Sequence, residues 1–385
     1  MPFVSHQFVK FELIREIRVK MKLSQLTAYL ESLAPLPYQE DYDNAGLIVG
    51  HPEQEIYQAL ISLDCTEVVV DEAIANNCQV IISHHPIVFR GLKKFNGKTY
   101  VERVVEKAIR NNIALYAIHT NLDNIMTGVN AKICETLGLK NCRILAPKHN
   151  LLKKLVTYVP LNHADEVRNA LFNAGAGNIG NYSETSFNAE GTGTFKGNDH
   201  TNPYVGEPGK RHLENEVRIE TIYPAIIESK ILMALVLAHP YEEAAYDLYE
   251  LTNQNQQIGS GMIGELDTAV AEEEFLYHIK EKMRTHVIRH TALTGRHIKK
   301  VAVCGGAGSF LLKQAIAAGA DIFITADYKY HEFFDADGKL IIADIGHFES
   351  EQFTQQLLYE IIRKKFTNFA LRLTEVNTNP VKYFI

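Results

Sequence analysis

The sequence predicts an α/β protein in which an inserted α+β unit of ferredoxin-like character splits one α/β domain into two chain segments. Three observations predict it. From Ile56 onward short apolar runs alternate with helical segments, "YQALISLD", "TEVVVDEAIANN", "QVIISHHP", "TYVERVVEKAIRNN", "IALYAIHTNLD", which is the punctuation of a mostly parallel sheet under helices. After Pro147 the pattern changes: "KKLVTYVP", "NHADEVRNALFNAG", "EVRIETIYP", "AIIESKILMALVLA" and "AYDLYELTN" read as strand, helix, strand, helix, strand, close to a βαββαβ count. From about Ile258 the first pattern resumes, with "IKKVAVCGGAG", "FLLKQAIAAGA", "DIFITAD" and "KLIIADIGH".

The expected domains are therefore 21–148 together with 258–385, and an insert over 149–257, placed where exposed loops tolerate insertion. Residues 1–20 read as an extension. They are basic and mildly amphipathic but lack the long apolar centre and small-residue cleavage site of a targeting segment. A start at Met1 and a start at Met21 both remain open, a misassigned start being the plainer reading. Met21 opens an amphipathic helix with Ser24 as its expected cap. Thr66 is the expected cap of the helix that follows the first strand. The Gly-, Asn- and Pro-rich stretch "AEGTGTFKGNDHTNPYVGEPGKRH" is expected to be one long loop.

Composition bounds the function. Of 385 residues 46% are hydrophobic and 22% charged, which describes a globular chain, and the formal net charge of −7 makes nucleic acid an unlikely partner, because phosphate binding leaves a basic footprint. No apolar run approaches the roughly 18 residues of a membrane span, so no membrane partner is expected. The five cysteines are scattered and never spaced as CxxC, which reads as reduced thiols in a cytoplasmic protein.

Chemistry gathers after the strands. In "QVIISHHPIVF", His84 and His85 end a buried run and are followed by Pro86, which donates no ladder bond and stops the strand. Adjacent residues on a strand face opposite sides, so the two rings converge only where the backbone turns. Taken alone, the pair reads more economically as one buried and one exposed histidine. "AIHTNLDN" sets His119 and Asp123 after another strand, at the carboxyl edge where open α/β sheets bind ligands. Asp123 serves equally well as a turn or cap residue. In "DIGHFESEQF", His347 and Glu351 lie four apart on one helix face. A cation is poorly placed at a helix start, whereas a neutral, metal-bound imidazole is tolerated there. "ITADYKYHEF" adds Asp327, Lys329 and His331, candidates for orienting ligands or holding a phosphate. The glycine turn Gly305 to Gly308 does not fit GxGxxG and reads as a tight strand-to-helix connection.

Jointly these runs place histidines and carboxylates after four strands, on what is expected to be one edge of one sheet. Imidazole and carboxylate without thiolate suit zinc, iron, manganese or nickel. Five donors are too many for one catalytic zinc and suit two metals sharing a carboxylate.

At these residues the sequence resembles the NIF-three-like family of GTP cyclohydrolase 1 type 2 homologs. The resemblance runs from Met21 to Ile385 through "EDYDNAGLIVG", "ISHHPIVFRGLK", "HTNLD", "ADYKYH", "DIGHFESE" and "NPVKYFI". Tyr42 departs from the family's usual tryptophan, and no ligand changes with it. The resemblance implies a split α/β domain carrying a dinuclear site of His84, His85, Asp123, His347 and Glu351. His119, Asp327, Lys329 and His331 would stand around it, without an assigned catalytic role. It further implies a PII/CutA-like insert carrying "EGTGTFKG" and "HPYEEAAYDLYEL", and a ring-shaped homohexamer. The expected function is a metal-dependent hydrolase with two divalent ions per chain, using a metal-activated water on a nucleotide or other phosphorylated small molecule. The alternative is a non-enzymatic metal-binding regulatory module whose insert binds an effector or partner.

Overall fold

The strand-like runs become short, fully buried strands in the computed structural model, which describes residues 20–384. The reading of residues 1–19 as an extension lies outside the described residues. The described residues divide into two units, one made of residues 20–122 and 351–384, the other of 123–350.

In the first unit five strands line up in the order Ala370–Leu373, Gln58–Ser62, Val80–Ser83, Ala114–Ala117 and Gly46–Val49. The first four run parallel and Gly46–Val49 pairs antiparallel with Ala114–Ala117. Every residue of the three central strands is buried, as expected for a parallel sheet covered on both faces. One face packs Leu60, Ile81 and Leu115 against Val69 and Val70 of helix Glu67–Ala75 and Val104 and Ala108 of helix Tyr100–Arg110. Thr66 caps the first of these helices as expected, accepting from the Val69 amide at 3.4 Å. The opening helix differs from expectation. It begins at Leu23, ahead of Ser24, because the backbone amides of Leu23 and Ser24 find the carbonyls of Gln54 and Pro52, both at 2.8 Å, and need no side-chain cap.

The second unit holds two sheets. Its six-stranded sheet runs Arg289–His290, Ile341–Asp344, Ile322–Ala326, His297–Ala307, Asn255–Ala271 and Lys140–Lys148, parallel only among the second, third and fourth. The expectation of one sheet carrying all four ligand-bearing strands is thus corrected. The strands before the histidine pair and before His119 belong to the five-stranded sheet, those before Asp327 and His347 to the six-stranded one. Sequence periodicity sets strand type, whereas partners are chosen by packing, and the antiparallel strand Asn255–Ala271 claims the edge of His297–Ala307.

The inserted segment forms an antiparallel sheet ordered Tyr246–Leu251, Leu152–Pro160, His212–Pro224, Phe187–Phe195. With helices Ala164–Ala174 and Glu228–Ala238 this is the βαββαβ order of a ferredoxin-like unit. The glycine-rich stretch is only partly a loop. Its beginning, "EGTGTF", lies within strand Phe187–Phe195, because its register against His212–Pro224 satisfies the backbone that its glycines leave bare.

Helix Glu272–Lys282 starts on the buried Glu272, whose carboxylate accepts from the Thr294 amide at 2.8 Å, the Thr294 hydroxyl at 2.6 Å and the Gly295 amide at 3.1 Å. Burial works to raise its pKa, and these donors outweigh burial and hold it below the usual carboxylate range. A carboxylate with a depressed folded pKa stabilises the fold above its unfolded pKa and loses that contribution as pH falls through the folded value. Glu272→Gln is therefore expected to cost about 1–3 kcal/mol at pH 7. The gap between variant and wild type should narrow as pH falls below about 4, as read from urea midpoints at a series of pH values.

Candidate metal centre

The register of the first unit's parallel sheet builds the centre. Ser62 lies opposite Ser83, so Asp64 and His85, each two residues further on, arrive level with one another. The ladder extends past both strand ends: the His84 amide donates to Ser62 O at 3.3 Å and the His85 amide to Leu63 O at 2.9 Å. Both histidines are thus held by backbone before their side chains engage anything.

Each ring is then aimed by what holds its Nδ1. His84 is fully buried and its Nδ1 lies 2.8 Å from the Ile118 carbonyl, which only accepts, so Nδ1 carries the proton and Nε2 presents a lone pair. That Nε2 is 3.8 Å from Glu351 Oε1. His85 Nδ1 donates to Asp64 Oδ1 at 2.8 Å, while its Nε2 is 2.9 Å from Glu351 Oε2. His119 Nδ1 donates to Asp43 Oδ1 at 2.8 Å. The His84, His85 and His119 rings sit 5.0 to 5.3 Å apart between centroids, and a ring nitrogen from each lies within 4.8 Å of the others. One cation fits among such donors.

Electrostatics follows the same geometry. Burial alone would lower the pKa of His85, but hydrogen bonds to Asp64 and Glu351 on its two sides outweigh burial and push it up to about 9. The two carboxylates thus favour positive charge at His85, Glu351 on its Nε2 side. Burial would raise Asp43, yet His119, Thr120 and the Asn44 amide hold it down to about 2. Asp64 is likewise lowered, its burial opposed by His85 and by the Thr378 hydroxyl at 2.5 Å.

In the second unit His347 repeats the pattern, its Nδ1 donating to Asp327 Oδ2 at 2.6 Å. Asp327 holds φ +58°, a left-handed backbone that Asp tolerates better than most residues. The Ser350 hydroxyl donates to His347 O at 2.7 Å within helix His347–Glu351, which Glu351 ends. The Asp123 carbonyl accepts from Asn130 Nδ2 at 3.0 Å. Lys329 and His331 turn to other company: the Lys329 ammonium stands 3.9 Å from Glu332, and the His331 ring packs against Tyr330 and Phe334.

Sequence reasoning missed Asp43, Asp64 and Thr378. A signal for Asp64 existed, since it follows its strand at the offset at which His85 follows the next one. Asp43 lies in "EDYDNAG", far from His119 in sequence, and only folding joins them.

Comparison with known proteins shows the family and the fold to which this chain is similar. A family model described as Duf34/NIF3 (NGG1p interacting factor 3) matches residues 21–380. A Halalkalibacterium halodurans protein named "GTP cyclohydrolase 1 type 2 homolog" is 39% identical over 359 residues, 92% of this chain and 96% of that one. The crystal structure of a Bacillus cereus protein related to NIF3 superposes with a TM-score of 0.81 at 39% identity, covering 94% of this chain and 99% of the other. A Staphylococcus aureus structure gives 0.76 at 30% identity, with 94% and 99% covered.

Removing an Nδ1 acceptor should weaken cation binding without removing a donor. Asp64→Ala is expected to lower metal affinity about 10- to 100-fold, read by competition with a chromophoric chelator, while the far-UV circular dichroism stays unchanged.

Proposed function

The chain belongs to the Duf34/NIF3 family, and we propose that it binds two divalent cations and acts with them as a hydrolase. The observation that carries the reading is the repeated anchoring of imidazole Nδ1 by an oxygen acceptor, at His84, His85, His119 and His347. In metal sites that arrangement fixes the tautomer and the ring direction and raises ligand basicity. The donors are imidazole and carboxylate. Cys65, next to Asp64 in sequence, is buried in the core and pushed up to about 12, chiefly by burial, so it remains a thiol.

His84, His85, Asp123, His347 and Glu351 would hold the ions, and zinc, iron, manganese and nickel suit them. Such ions supply Lewis-acid charge and lower the pKa of water. The chain's residues contribute the rest. Asp64 and Asp327 hold the rings of His85 and His347 at fixed angles. Glu351 is buried, with a carboxylate directed at His85. His119, held at Nδ1 by Asp43, keeps its other ring nitrogen among the same donors as His84 and His85. The relatives' name makes GTP the first substrate to assay, with phosphoesters beside it. A cytoplasmic homohexamer is part of the same reading.

The test combines metal quantification with a nucleotide and phosphoester panel. Wild type is expected to carry two ions per chain and to hydrolyse at least one substrate. Glu351→Gln should lose metal and at least 100-fold in kcat/KM. Hydrolysis unchanged in that variant would sink the mechanism. A fully loaded chain with two ions and no turnover across the panel would favour a regulatory metal-binding module instead.

A further inference from the structure

The insert's four-stranded sheet uses its two faces differently. Leu155, Val159, Val217 and Ile219 point to one side and pack with Val167 and Leu171 of helix Ala164–Ala174 and Ile231 and Leu235 of helix Glu228–Ala238. By the two-residue period of a strand, Tyr158, Glu216 and Arg218 face the other side. A cavity of about 720 Å³ opens there, lined by Tyr158, Phe195, Tyr204, Glu216, Arg218 and Tyr241 among others. That volume falls in the range of small-molecule sites.

Its polar centre is a buried carboxylate among aromatic rings. Glu216 is 8% exposed, and its Oε1 accepts from the Tyr241 hydroxyl at 2.8 Å. The Tyr241 ring stands 5.7 Å from Phe195 and 6.3 Å from Tyr204 between centroids. The placement of Glu216 depends on a missing side chain. A Cβ at Gly193 would meet Glu216 Oε2 at 2.0 Å, so the glycine of "EGTGTF" lets the carboxylate lie against strand Phe187–Phe195.

The surrounding groups do not neutralise it. The cavity's carboxylates are Glu190, Glu216, Glu242 and Glu243 and its cations Lys196 and Arg218. Arg218 is already paired with Glu220 at 2.9 Å. His239, packed against Tyr241, has its Nε2 3.0 Å from the Tyr158 carbonyl and accepts the Tyr241 amide on Nδ1 at 3.1 Å, a pairing only the neutral ring can make. Burial lowers its pKa in the same sense. His163 Nε2 meets the Tyr204 hydroxyl at 2.9 Å, which steadies that ring at the rim.

We propose that this cavity binds an organic ammonium ion, its N–H donated to Glu216 and its carbon-bound positive charge facing the Phe195, Tyr204 and Tyr241 rings. Ring faces attract weakly hydrated cations, and a carboxylate adds a charge-assisted hydrogen bond. An anionic ligand would meet the excess of carboxylates. A neutral one would leave the Glu216 charge uncompensated. The site shares no residue with the candidate metal centre.

Calorimetric titration of the full chain with benzylamine, benzyl alcohol and benzoate tests it. Benzylamine is expected to bind and its neutral and anionic isosteres to fail. Glu216→Gln should weaken benzylamine about tenfold or more, with metal content unchanged. Tyr204→Ala, at a half-exposed rim position, should weaken it severalfold without touching the carboxylate. Equal binding of benzoate or benzyl alcohol, or benzylamine affinity unchanged in both variants, would overturn the proposal. So would benzylamine failing to bind the full chain.

Discussion

The candidate centre depends on one recurring interaction, an oxygen acceptor on the Nδ1 of each imidazole. In the first unit Ile118 supplies a carbonyl to His84, and Asp64 and Asp43 supply carboxylates to His85 and His119; within the second unit Asp327 does the same for His347. A histidine left to itself can rotate and can carry its proton on either nitrogen. Fixing Nδ1 removes the freedom to rotate and commits that nitrogen to its proton, so the remaining nitrogen points one way. The cost is a set of buried or half-buried charges, which donors offset: Asp43 takes hydrogen bonds from His119, Thr120 and Asn44, and Asp64 from His85 and Thr378.

Parallel register makes this anchoring possible. Strands Gln58–Ser62, Val80–Ser83 and Ala114–Ala117 end within the same layer, so residues two or three positions beyond them meet although they are distant in sequence. Backbone hydrogen bonds continue past the strand ends, from His84 and His85 to Ser62 and Leu63 and from Ile118 to Ser83. The site therefore rests on the sheet ladder rather than on mobile loops, which favours precise ligand direction.

The insert answers a different constraint. A four-stranded sheet with two helices buries one face completely and has no third layer for the other. Strand Phe187–Phe195 exploits this: its glycines withhold side chains, and Glu216, Tyr241 and Phe195 close around the space. A buried carboxylate in such surroundings is costly unless a donor or a cation attends it. Tyr241 supplies one donor.

Apolar runs and helical periods were sufficient to read the central strands and most helices, because they are local properties, whereas strand Phe187–Phe195 was hidden by its glycines. The histidine pair, "HTNLD" and "DIGHFESE" were legible for the same reason, since donors after strand ends and four apart on a helix carry a spacing. Sheet membership was not legible: one expected sheet became two, because pairing is decided by packing between segments far apart in the chain. Asp43 reaching His119 and Thr378 reaching Asp64 were invisible as well, being contacts across 76 and 314 positions that no period encodes. The sequence by itself determined which donors exist and where strands end. Only the tertiary structure decided which nitrogen of each ring faces the site, because that choice belongs to acceptors brought in from elsewhere in the chain.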